Sequence, residues 1–274
     1  MMVLCTTSDT YPTSMINALG RFFLVRLLLL IDVISMVTLA FRNAVRALTH
    51  GTVAIKMVLL RQLYFTGLEA TYVIFVIAII IGTVIIAQVE SLVGDNGSLT
   101  GKILVWVVLR ELAPLLTAII VIARSGTAIA TELGAMKING EIESIEMLGI
   151  SADSYLVMPR IVGVTTSMII LTVYFALSVF ISSFIVASIG WHIPYDHLFQ
   201  GIMASLGIKE IVMLFSKSVL FGLFVSSICC WYGLGVGRSS TEIPQAATRA
   251  VMSSLFAVFA LDGLITYLIS HSFS

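Results

Sequence analysis

Residues Trp106–Gly126 read WVVLRELAPLLTAIIVIARSG. The stretch is apolar enough to sit in bilayer hydrocarbon, yet it carries the adjacent charges Arg110 and Glu111, followed by Pro114. Hydrocarbon has no water for either charge, so both are expensive there unless something polar receives them. Neighbours in a helix point away from one another, so the two cannot simply neutralise each other on one face. Pro114 lacks an N–H and its ring crowds the carbonyl of Arg110, which loosens the helix at that level. Freed carbonyls and two charges at one depth need water or polar partners from another helix. A structural ion-pair cluster is one solution. The reading preferred here is a polar cavity open to substrate.

The rest of the chain makes lipid the right solvent to consider. Of 274 residues, 59% are hydrophobic and only 11% charged, with a mean hydropathy of +1.08. A soluble domain carries about 25% charged residues. Five apolar runs, Tyr72–Val89, Ile103–Ala123, Ile161–Ile189, Ile211–Tyr232 and Val251–Ile269, approach or exceed the roughly 20 residues of a spanning helix. Strict two-residue alternation is absent, which argues against a β-barrel. The expected fold class is therefore an all-α integral membrane protein with five transmembrane helices. With the second span beginning near Ile103, Arg110 lies about 10 Å deep at 1.5 Å per residue.

Other chemistries find little support. Zero formal net charge excludes a broadly basic nucleic-acid binder. Cys5, Cys229 and Cys230 have no framework spacing, and the adjacent pair in an apolar run behaves as small hydrophobes. His50, His192, His197 and His271 are scattered; His192 and His197 are assigned to a loop, and no metal-ligand cluster is expected. The stretch GDNGSLTGKI, Gly94–Ile103, imitates a phosphate loop but has Asn96 at the first glycine position and Ile103 at the last. Nucleotide hydrolysis is not expected of this chain.

Basic residues set the orientation. No cleavable signal peptide is expected. Leu27–Phe41 is short, interrupted by Asp32 and flanked by Arg21, Arg26, Arg42 and Arg46, which favours an interfacial helix over a further span. Residues 1–64 then form a cytoplasmic and interfacial segment, and 65–274 the transmembrane domain. Eleven basic residues fall on the cytoplasmic side and only Lys102 outside, with the N-terminus inside and the C-terminus outside.

That topology makes 124–160 the longest inward loop. Ile129, Leu133 and Met136, then Ile138, Ile142 and Ile145, recur at three and four, giving two amphipathic helical stretches. Glu132, Glu141, Glu143 and Glu146 lie among them, with Gly134, Gly140 and Gly149 as expected breaks. Solvated capping helices and a docking element for a cytoplasmic partner fit the pattern equally. For the buried charges, Lys217, Glu69, Arg249 and Asp262 are candidate partners, Asp262 the weakest. Intramembrane ionisable groups mark transport paths, and charges of both signs suit a lipid headgroup.

Arg110-Glu111 with Pro114, Arg124 with Gly126, Glu132 with Gly134 and Met136, Glu146, and Pro159-Arg160 resemble the signature region of the MlaE/YrbE family. Arg61-Gln62, Gly67, Gly82 and Gln88 resemble that family's first span. Lys217, Phe221-Gly222, Ala247-Thr248, Ala250-Val251, Ser253 and Asp262 resemble its last two. The resemblance covers about residues 55–270. It implies a permease subunit of a lipid ABC transporter in the bacterial inner membrane, with an N-terminal interfacial helix and five spans. A second permease copy, a cytoplasmic ABC ATPase dimer, a periplasmic hexameric MCE-domain ring and a small STAS-type subunit are the implied partners. No cofactor is implied in this chain; ATP and Mg would be bound by the ATPase. By the resemblance, 124–160 contains a coupling helix, with Glu132, Gly134, Glu141, Glu143 and Glu146 at the ATPase, and Arg110, Glu111, Lys217 and Arg249 near the lipid; Glu69 joins the lipid set without a family counterpart. Gly140-Glu141, Ala113 and Glu242-Ile243-Pro244-Gln245 depart from the family pattern.

Two other classes would leave different marks in the sequence. An ion-coupled secondary transporter would show internal repeats, but the Arg-Glu and Pro arrangement occurs once. An integral enzyme would gather a nucleophile and base or metal ligands at one membrane face, and these are absent from the sequence pattern.

Overall fold

In the computed structural model, the described residues are 53–94, 96–190, 195–237 and 239–272, with isolated positions 32, 35, 36 and 38. The interfacial helix expected over 27–41 therefore falls outside the described residues except at those four positions. Among the described residues the structure is helical without strands. Five helices are long and apolar enough to cross a membrane: α1 (Met57–Val93), α2 (Gly97–Ile138), α4 (Tyr155–Ile189), α6 (Ile208–Leu234) and α7 (Glu242–Ile269). Two short helices complete the order, α3 (Glu141–Met147) and α5 (Tyr195–Ser205).

α2 is longer than its apolar run. At 42 residues it extends about 63 Å, roughly twice the hydrocarbon thickness. The expected loop over 124–160 is thus corrected: α2 continues unbroken through Arg124 and Glu132 to Ile138. Ile129 and Leu133 are its buried face, so the first amphipathic stretch belongs to the span's own extension. Gly134 is no break, since it sits inside α2 with Val236 packed against it. Gly140 and Gly149 do break the chain, at φ +71° and +78°, a left-handed conformation that favours glycine. They bracket α3.

The start of α2 is also corrected. It begins at Gly97, where the Asn96 side chain accepts the Leu99 N–H at 3.4 Å. The false phosphate loop is a helix cap. The first turns of α2 pack on α5, which holds His197 on a helix rather than in a loop. Contact is backbone to backbone: a Cβ on Gly201 would lie 2.3 Å from the Ser98 carbonyl oxygen.

α6 is the central helix, touching α2, α4 and α7, while α4 also carries α1. Its buried face is built from small residues, including Gly222, Ser226, Cys229, Cys230 and Gly233. Small side chains let helices approach closely where lipid removes the usual hydrophobic drive between them. A Cβ at Gly222 would stand 2.7 Å from the Thr165 Cα of α4.

Four turns are π-helical rather than α-helical: Tyr64–Leu68 in α1, Val108–Leu112 and Ile122–Gly126 in α2, and Asp153–Val157 at the start of α4. Such turns displace side chains from the regular helical positions and gather at functional sites. The two in α2 carry Arg110, Glu111 and Arg124.

Candidate functional site

Arg110 and Glu111 occupy the π turn of α2 just before Pro114. In a regular helix residue 114 would donate its N–H to the Arg110 carbonyl, and proline cannot. Lys217 of α6 supplies the missing donor: its Nζ reaches the Arg110 carbonyl oxygen at 2.7 Å. The same ammonium donates to Glu111 Oε2 at 3.0 Å and Thr266 Oγ1 at 2.9 Å, and lies 2.6 Å from Asp262 Oδ1. Thr266 in turn donates to Glu111 Oε1 at 3.0 Å. Lys217 has 0% exposure, and such a charge persists away from water only with partners on every donor. It has them.

Arg110 turns the other way. Its Nη2 donates to Glu210 Oε1 at 2.7 Å, near the start of α6, and its guanidinium lies over the Trp106 ring at 5.2 Å. Both the ionic and the ring contact favour a desolvated guanidinium. The adjacent charges of the opening stretch therefore take separate partners, as helix geometry requires. The cluster is graded in exposure. The Glu210 side chain is 8% exposed, Arg110 29% and Glu111 37%, so the last two are partly open at the surface of the single chain.

Glu210 and Thr266 were missed in the sequence reading. Glu210 follows Lys209 at the edge of an apolar run, which looks like an ordinary span boundary. Because α2 starts at Gly97, Arg110 lies 13 residues along its helix, whereas Glu210 lies two residues into α6. The fold-back of α5 onto α2 brings those unequal depths to one level, and no spacing in the sequence announces it.

The remaining candidates separate into other groups. Glu69 pairs with Arg124, whose guanidinium also covers Phe65 at 5.3 Å. Arg249 is exposed and has no ion pair among the described residues; it stands 13 residues, about 20 Å of helix, from Asp262. Thus Arg110, Glu111 and Lys217 come together with Asp262, and Glu69 and Arg249 do not join them.

Beyond Arg124 lies a second constellation. Arg160 of α4 donates to Glu132 of α2 at 2.8 Å, and Lys137 donates to the Leu234 carbonyl, a cation closing the C-terminus of α6. A cavity of about 890 Å³ opens here between α1, α2 and α4, with Arg61, Glu69, Glu132 and Arg160 on its wall. Next to it, α3 holds Glu141, Glu143 and Glu146 exposed, with Met147 and Leu148 uncovered at its end. Glu132 and Gly134 belong to α2, while the three other acids form a separate projecting face. Among the described residues no cluster suited to a metal ion occurs.

Comparison with known proteins places the chain in a family. The family model described as Permease MlaE matches residues 59–268. A probable ABC transporter permease, ycf63 of Pyropia yezoensis, is 26% identical over 76% of this chain and 80% of its own length. A probable ABC transporter permease of Synechocystis sp., slr1045, is 28% identical over 76% of this chain and 80% of its own. The intermembrane phospholipid transport system permease protein MlaE of Haemophilus influenzae is 27% identical over 76% and 81% respectively. The match over 59–268 takes in both charge constellations and nearly the whole of the five spans, and the chain belongs to the MlaE permease family.

Proposed function

We propose that this chain is the membrane subunit of an ATP-driven transporter that moves phospholipid, or a related lipid, between the inner membrane and an extracytoplasmic MCE-domain carrier. Membership of the MlaE permease family is the observation that carries the reading, and the phospholipid transport named for the Haemophilus relative supplies the substrate class. The chain itself is a transport subunit; ATP and Mg belong to a separate ATPase dimer. The excess of basic residues on one side orients the N-terminus to the cytoplasm and the C-terminus to the periplasm.

In this reading two copies of the chain enclose a chamber at the level of Arg110 and Glu111. Those two side chains are the open members of an otherwise sealed cluster, so each can meet a headgroup while Lys217 holds α2, α6 and α7 together. Arg249 and Glu69 lie lower along the same route. The acidic face of α3 docks on the ATPase, with Glu132 and Gly134 joining it through α2. ATP binding draws the ATPases together, α3 transmits the motion, and the chamber narrows to expel lipid. A periplasmic hexameric MCE ring receives or delivers it, and a small STAS-type subunit completes the cytoplasmic side.

Affinity purification of the full chain from its own membrane tests the class. The expected result is copurification of an ABC ATPase and an MCE-domain protein. Gradient-driven lipid movement by the isolated chain in proteoliposomes, with no ATPase recovered, would instead identify a secondary transporter. In the assembled complex, Glu146→Lys is expected to leave the fold intact and uncouple ATP hydrolysis from lipid movement.

A further inference from the structure

We infer that the cavity beside Arg160 is a second ligand site, a pocket for the phosphate group of a phospholipid headgroup, separate from the Arg110 cluster. Arg110 and Glu132 are 22 residues apart on α2, about 33 Å of helix, so the two sites cannot be one. At about 890 Å³ the cavity lies within the range of small-molecule pockets.

Its charges point to an anion. Two carboxylates and two arginines line it. Both carboxylates are already engaged, Glu132 by Arg160 and Glu69 by Arg124. What remains unspent is positive. The Arg160 side chain is only 7% exposed, and its buried Nη1 has no hydrogen-bond partner among the described residues. Arg61 makes no ion pair among the described residues. A buried guanidinium donor without an acceptor is unfavourable, and its planar fork matches phosphate oxygens.

The rest of the wall argues for a lipid as the bearer of that phosphate. Val58, Phe65, Leu156 and Ile243 are apolar, and Tyr64 stands exposed beside them on α1. The outer face of α1 continues as Tyr72, Phe75, Ile80 and Val84, all exposed, as a surface against acyl chains would be. A headgroup in the cavity could therefore leave its tails along α1. By the orientation proposed above this is the cytoplasmic leaflet, though binding itself requires neither the ATPase nor the carrier.

The experiment uses the full chain in nanodiscs and a phosphatidylglycerol carrying a diazirine in one acyl chain next to its glycerol ester, within reach of a cavity that holds the headgroup. Light-induced adducts are expected near Tyr64, Phe65 and Leu156. Arg61→Gln, on an exposed position, and Arg160→Lys, which keeps the ion pair with Glu132 but loses the fork, are each expected to lower that labelling about tenfold, the scale of one charge-assisted hydrogen bond. The thermal transition of both variants should stay near that of the parent chain, and labelling near Arg110 should not change. A diacylglycerol with the same diazirine should leave the cavity unlabelled. Failure of millimolar inorganic phosphate to displace the probe supports a lipid headgroup, whereas displacement overturns the lipid and reassigns the pocket to a soluble phosphate. Equal labelling by the diacylglycerol, or labelling untouched by both substitutions, overturns the site.

Discussion

Arg110 and Arg160 each bind a glutamate at similar distance, 2.7 Å to Glu210 and 2.8 Å to Glu132, with opposite burial. At the Arg110 level the carboxylate is sealed and the arginine is partly open. At the Arg160 level the arginine is sealed and the carboxylate faces out. The first pair belongs to a network in which Lys217 ties α2, α6 and α7 together through four oxygens. Each arginine keeps one buried nitrogen without a hydrogen-bond partner among the described residues, Nε of Arg110 and Nη1 of Arg160, but only Arg160 lines the cavity. An ion pair thus has different consequences according to which partner is withheld from solvent. One arrangement joins a network that locks three helices together; the other sets its arginine on the wall of a cavity.

The sharpest way to break that contrast is Lys217→Met. It leaves Glu111, Asp262 and the Arg110 carbonyl without their shared donor, and removing one partner of a buried ion pair costs about 3–5 kcal/mol. We expect a large fall in folded yield and in the unfolding temperature of the purified chain. Gly201→Val comes next. Its Cβ would meet the Ser98 carbonyl oxygen at 2.3 Å, and forced repacking of this kind costs about 1–3 kcal/mol. The variant should push α5 from α2, shift α6 relative to Arg110 and weaken the contact with Glu210. Crosslinking of a cysteine pair placed at positions 110 and 210, compared in the two backgrounds, reads that shift.

Pro114→Ala in the Lys217→Met background gives a smaller effect of opposite sign. Alanine restores the N–H that the Arg110 carbonyl lacks, so about 1 kcal/mol of the loss should return, the net worth of one hydrogen bond. Thermal unfolding of the single and double variants measures it. Arg124→Gln is expected to do least. It removes the Glu69 pair, whose side chains are both substantially exposed, and exposed pairs contribute about 0–1 kcal/mol. The unfolding temperature should barely move.

Five spans and their approximate places were legible because hydrocarbon demands long apolar runs, and the chain supplies five. The ends of α2 were less so. Its first turns, Gly97–Lys102, are capped by Asn96 and packed on α5, and its last turns pack through Ile129 and Leu133. Both extensions are mixed in polarity, so the hydropathy signal stops while the helix goes on. At the site, Arg110, Glu111 and Lys217 stood out because charge is conspicuous in lipid. In sequence Asp262 is the weakest of the candidate partners, since an aspartate beside Gly263 resembles a helix-contact residue; only the tertiary fold brings it to Lys217. Glu210 escaped because a charge at a span edge is ordinary, and its importance arises from the depth at which α6 begins. The role of Pro114 was half readable. Its lost hydrogen bond follows from covalent structure, but the identity of the substitute donor is a fact of packing.

The claim beneath this account is that Lys217 and its acceptors hold α2, α6 and α7 as one unit. A double-mutant cycle on Lys217→Met and Asp262→Leu, read as unfolding free energy of the purified full chain, tests it most directly. The account predicts that the double variant loses less than the sum of the single variants by about 1 kcal/mol or more, the coupling of residues in contact. Strictly additive losses would contradict it.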